Sequence, residues 1–177
     1  MKLTFLEASN GLRLSKHFTS ENKFRPYPHV KNFTSHEVHA PCIDSMHQEI
    51  VTRAAQGQCL LKGNLRKQLS DESRAGATDR AGLTQFIALD FDSITLHPFD
   101  ARSFRDIDTV KLEAMAEQLI ALLPNELQHI SYIAQASSSI GLKNNSVSMH
   151  IFMKLTGAKV IAVLWIKLLL YINVMQL

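Results

Sequence analysis

The sequence predicts an α+β fold, and three observations carry that reading. Residues 85–92, Gln-Phe-Ile-Ala-Leu-Asp-Phe-Asp, form an apolar run of buried-strand type that ends in acids. Residues 109–123 place Leu112, Met115, Ala116, Leu119, Ile120 and Leu123 at the i, i+3, i+4, i+7 spacing of one helix face. Residues 130–137 and 147–155 are two further strand-like runs, separated by Gly141 and Asn144-Asn145, which suit a hairpin turn.

Before residue 85 the signals are weaker. Residues 1–35 are polar and aromatic without clear periodicity, with a turn expected at Asn10-Gly11. Arg25-Pro26-Tyr27-Pro28 should be extended, because a residue preceding proline avoids the helical region. Residues 46–55 read as a helix with Asp44 or Ser45 as N-cap. Residues 62–84 are polar and basic and contain Gly63, Gly76 and Gly82, the composition of a functional loop or linker.

After residue 85 the elements follow in order. The acidic strand leads into the helix, which Pro124 closes. Two strands follow, and from Gly157 the apolar stretch over residues 160–177 reads as a second buried helix. The order strand, helix, strand, strand, helix is that of an RRM-like βαββαβ unit without its final strand. The expected fold is thus α+β, an RRM-like βαββα sheet core lacking its final strand, with an N-terminal αβ extension. Residues 1–60 would be the extension and residues 61–177 the partial core, together one structural unit. In that topology the first and third strands lie side by side. The edge beside the acidic strand is left open, which favours association.

Composition excludes little. The 177 residues suffice for one domain with a small appendage, and a formal net charge of +3 neither requires nor forbids a nucleic-acid partner. Two cysteines, Cys42 and Cys59, make no disulfide framework, so a reduced, cytoplasmic setting is expected. Glu7 and Asn10 interrupt any apolar signal segment. Lys167 sits in the middle of the apolar stretch 160–177, which argues for a buried helix over a membrane span. Phosphate-binding Gly-rich loops and Gly-x-Ser-x-Gly elbows are absent. His36, His39, Cys42 and His47 are zinc-type ligands in no closed spacing and read as scattered surface residues.

The chemistry-bearing residues lie on the strands. Side chains two apart on a strand share a face, so Asp90 and Asp92 present paired carboxylates. If buried without partners they would repel one another, and a divalent cation would relieve that. A hard cation such as Mg²⁺ takes oxygen ligands and keeps positions for phosphates. The same period places Ser148 and His150 together, with the imidazole able to donate to a phosphate. Lys62, Arg66, Lys67, Arg74 and Arg80 could track a nucleic-acid backbone, and Arg74 is the candidate phosphate contact.

Ile87-Ala88-Leu89-Asp90-Phe91-Asp92 resembles the first motif of the archaeo-eukaryotic primase superfamily, and Ser148-Met149-His150 resembles its Ser-x-His second motif. Glu72-Ser73-Arg74-Ala75-Gly76-Ala77-Thr78-Asp79 is similar to a run preceding the first motif in phage and plasmid primase-polymerases. The resemblance covers residues 60–155. It implies Mg²⁺ or Mn²⁺ held by Asp90 and Asp92, and contact of His150 with the phosphates of an incoming nucleotide. Ser148 would orient that strand or the nucleotide, and the reaction would be primer synthesis on a DNA template. The family's third motif supplies a further acidic ligand, whereas no Asp or Glu follows Glu126 here. The expectation is therefore a truncated or split core that depends on a partner chain or on a further C-terminal region.

Overall fold

The computed structural model describes residues 1–15, 17–18, 24–79, 81–96, 108–137, 140 and 146–160. They form a mixed α+β structure whose described pairings are antiparallel. The chain divides into two compact units. Met1–Ile87 belongs to the first, joined by the end of the last described strand from Lys154, and Ala88–Met153 to the second. Residues 61–87, which the sequence groups with the later core, thus go with the first unit.

The first unit is built on a long antiparallel pair. Strand β1 (Lys2–Ala8) is followed by the two-residue pair β2 (His17–Phe18) and β3 (Phe24–Arg25), and then by β4 (Asn32–His39). β1 and β4 pair from Lys2↔His39 to Ala8↔Phe33. Between them Gly11 adopts φ +72° in the expected turn, its N–H donating to Ala8 O at 2.9 Å. β1 does not alternate in burial, because both its faces are covered. Leu6 packs with Leu61, Leu65, Leu69 and Ala77, while the Phe5 ring lies 5.8 Å from the Arg53 guanidinium. That double burial hid the strand from a reading based on alternation.

Helix α1 (Ile43–Ala55) starts three residues earlier than expected, and its N-cap is Cys42, neither Asp44 nor Ser45. Strand β5 (Cys59–Leu60) then pairs with the free edge of β1. The segment expected to be a loop or linker is folded. β6 (Asn64–Leu65), β7 (Glu72–Ser73) and β8 (Thr78–Asp79) follow in order, with β6 paired to β8 and β7 to β4. The four-stranded sheet runs β5-β1-β4-β7. Leu65, Leu69 and Ala77 are buried among the charges of this segment, and Lys67 pairs with Glu72. Arg80 lies outside the described residues.

The second unit, from Ala88, contains the acidic part of the next strand. β9 (Leu83–Thr95) is longer than expected, so Asp90 and Asp92 sit inside it and not at its end. Helix α2 (Thr109–Ala121) is capped by Asp108, whose carboxylate accepts from the Lys111 N–H at 2.8 Å. Its buried residues Met115, Ala116, Leu119 and Ile120 are four of the six the periodicity selected; Leu112 is half-buried, and Leu123 is buried just past the helix end, which comes two residues earlier than expected. A short helix, α3 (Asn125–Gln128), follows Pro124; Gln128 Nε2 donates to Leu123 O at 2.6 Å and closes the end of α2.

Strands β10 (Tyr132–Ala136) and β11 (Ser146–Val160) pair antiparallel from Tyr132↔Met153 to Ala136↔Met149. The three-stranded sheet runs β10-β11-β9, so β11 lies between the acidic strand and β10. On β11, Met149, Ile151 and Met153 are fully buried and form an apolar face. β11 continues through Gly157 to Val160, so Gly157 does not open a helix. The hairpin residues 141–145 and residues 161–177, with Trp165, Lys167 and Tyr171, lie outside the described residues. Among the described residues no helix is long and apolar enough to cross a membrane.

Candidate functional site

Burial along β9 switches at the site. Residues 86–89 are all buried, and from Leu89 the pattern alternates, with Leu89 and Phe91 buried and Asp90 and Asp92 exposed. The two carboxylates therefore share one face, as period two requires. β11 presents Ser148 and His150 to that face. The Ser148 hydroxyl donates to Asp92 Oδ1 at 2.9 Å, and His150 Nε2 lies 3.1 Å from Asp90 Oδ1. These contacts join 90 to 150 and 92 to 148. Numbering rises on one strand as it falls on the other, which is the antiparallel arrangement.

A carboxylate only accepts, so Nε2 carries the proton in the His150–Asp90 bond. The ring is further fixed by Phe152, with centroids 6.3 Å apart and planes at 67°. An edge-to-face contact of this kind restricts how far the imidazole can turn. Ser148 is 2% exposed, so its hydroxyl is held in packed surroundings while its partner Asp92 faces solvent.

The carboxylate pair differs from expectation in one respect. A buried pair would need a cation to suppress its repulsion, but the Asp90 side chain is 49% exposed and β11 supplies each acid with a hydrogen-bond donor. Solvent and these donors already reduce the repulsion. Any cation affinity must come from the oxygen donors themselves together with a ligand's phosphates. Among the described residues no group of three His, Cys, Asp or Glu side chains could hold a metal ion. A closed site made of protein ligands alone is thereby ruled out among those residues. Two exposed carboxylates on one face still fit Mg²⁺ or Mn²⁺, because such ions bind through one or two carboxylates plus phosphates and water.

The remaining candidates are elsewhere. Arg74 is exposed in a turn of the first unit, where its carbonyl accepts from Ala77 N–H at 3.0 Å. There its charge partly offsets the upward push that burial gives the Cys59 thiol. The zinc-type residues do not assemble. His36 Nε2 bonds Glu7 Oε2 at 2.8 Å, His39 Nε2 is 3.4 Å from the terminal amine of Met1, and Cys42 caps α1. The first unit also has an open cavity of about 390 Å³ lined by Ser9, Asn10, His29, Lys31, Asn32 and Asp71, among others. It contains none of the candidate site residues Arg74, Asp90, Asp92, Ser148 and His150.

The register adds one residue that the sequence did not reveal. Gln135 of β10 lies directly opposite His150. Finding it requires the pairing of β10 with β11, which depends on the length and shape of the turn between them.

Comparison with protein-family models, with curated proteins and with solved structures finds no significant match to this chain.

Proposed function

We propose that the second unit belongs to a metal-dependent nucleotidyl-transfer core of the primase-polymerase type, built on an RRM-like arrangement of strands. The observation that carries this reading is the 3.1 Å approach of His150 Nε2 to Asp90 Oδ1 across neighbouring strands. Two motifs about sixty residues apart meet on one sheet face, with acids on one strand and a hydroxyl and an imidazole on the next. The reading is further supported by the strand order β10-β11-β9, with α2 between the first and second of these strands in sequence, which is compatible with an RRM-like core.

In this reading Asp90 and Asp92 hold Mg²⁺ or Mn²⁺, and His150 and Ser148 serve the nucleotide. A bound cation would neutralise charge developing on the attacking hydroxyl oxygen and on the leaving phosphate oxygen. The chain's own part is positioning. Ser148 holds Asp92, Asp90 holds the imidazole, and Phe152 limits its swing. With a ligand present, Asp90 would turn its carboxylate to the cation and His150 would donate to a phosphate oxygen in place of Asp90. Arg74 and the other basic residues of 62–79 would contact the phosphate backbone of a DNA template, an attraction that weakens with salt.

The test is Mn²⁺ binding, followed by electron paramagnetic resonance, in the Asp90→Asn/Asp92→Asn double variant. Loss of binding is expected, and wild-type affinity would refute the assignment. A second reading, a non-catalytic nucleic-acid-binding or replication-accessory module, draws on the exposed cations Arg66, Lys67 and Arg74 of the first unit. Primer extension with the purified chain separates the two: incorporation supports the enzyme, and DNA binding without incorporation supports the accessory module.

A further inference from the structure

Resting on the phosphate-site reading above, we propose that Gln135 is a further phosphate-contacting residue, and that it makes the site favour a triphosphate over shorter phosphate chains. Residues directly opposite in an antiparallel pair share a face, so the pairing Gln135↔His150 puts the amide on the face that carries the imidazole. His150 reaches in the other direction to Asp90. Gln135, His150 and Asp90 therefore form one row across β10, β11 and β9. Strands lie about 4.8 Å apart, so Gln135 is one strand spacing beyond the imidazole and about two from the acidic strand.

Charge sets the direction of a ligand on this row. A polyphosphate can approach two carboxylates only where a cation lies between them, so its remaining phosphates must run away from the acids. Along the row the first donor met is His150 and the next is Gln135. Gln135 is exposed, and its amide brings two N–H donors and no negative charge to the end of the row.

The experiment measures dissociation constants of the full chain for ATP, ADP and AMP in the presence of Mn²⁺ by titration calorimetry. Gln135→Ala should weaken ATP by about tenfold, the scale of a hydrogen bond to a charged group, and leave AMP within about twofold. Gln135→Glu should weaken ATP further, because it adds a negative charge at the same place. The residue is exposed, so both variants should melt with the wild type. Equal changes for all three nucleotides, or no change for ATP, overturn the assignment of Gln135. If Asp90→Asn/Asp92→Asn still loses ATP in that case, the phosphate site stands and only Gln135 is removed from it. A wild-type chain that binds none of the three overturns both.

Discussion

Among the described residues four buried side chains carry a hydroxyl: Thr4, Ser35, Thr84 and Ser148. Three of them are used. Ser35 Oγ accepts from the Leu69 N–H at 2.8 Å, Thr84 Oγ1 donates to Phe86 O at 3.0 Å, and Ser148 donates to Asp92. Thr4 Oγ1 is buried in β1 with no hydrogen-bond partner among the described residues. Its desolvation is uncompensated, and valine has the same shape without the hydroxyl. Thr4→Val should therefore stabilise the first unit by about 1 kcal/mol, read as about fivefold higher native-state hydrogen-exchange protection at the amides of β1 and β4. Lower protection would show that the hydroxyl has a partner after all. At this scale the candidate site was largely legible. Asp90, Asp92, Ser148 and His150 obey a strict period of two, and that period is a property of the extended backbone itself. Gln135 was not legible, because its place opposite His150 is a matter of pairing register and no single strand encodes it.

The elements follow the same division between local and non-local causes. Helix α2 could be read because its apolar stripe and its Asp108 cap are local signals. Strand β1 could not, because a strand covered on both faces loses its alternation. Helix α1 is an intermediate case, since its existence was local but its start was misplaced by an unusual cap. The pattern Cys42-x-x-Ser45 has the geometry of a capping box with a thiol in the hydroxyl's place. The Cys42 thiol is exposed and lowered in pKa, first by its side-chain hydrogen bond with Ser45 and then by the Ser45 backbone N–H. The Cys59 thiol is raised by burial. A lowered thiol carries more thiolate at a given pH below its ordinary value, and a raised one carries less. Iodoacetamide should therefore label Cys42 well before Cys59 at neutral pH. Ser45→Ala should move the Cys42 rate profile to higher pH. Peptide mass spectrometry across the neutral to alkaline range reads both, and equal labelling of the two cysteines would contradict the assigned environments.

For the molecule as a whole, the largest change from the sequence reading concerns residues 62–84. Their charge and glycines describe a solvated loop, yet Leu65, Leu69 and Ala77 complete a core with Leu6 and Leu61. The backbone agrees, since Ser35 N–H donates to Leu69 O at 3.0 Å and ties the segment to β4. Three apolar residues dispersed among charges carry no periodic signal, because this stretch has two-residue strands and turns in place of regular elements. The two descriptions differ sharply in energy. A leucine in a solvated loop can be cut to alanine at a cost within about 0.5 kcal/mol. Leu69 is 2% exposed, so Leu69→Ala should cost about 3 kcal/mol, a large part of the roughly 5–15 kcal/mol that holds a domain together. Because the chain has two compact units, one global unfolding curve would mix their transitions. Native-state hydrogen exchange at the amides of β1 and β4 reads the first unit directly. Protection there should fall by about a hundredfold in Leu69→Ala, while Arg66→Ala, at an exposed position of the same segment, should leave it nearly unchanged. Equal, small effects from the two substitutions would return residues 62–84 to the status of a loop and leave Leu6 without the cover that makes β1 a central strand.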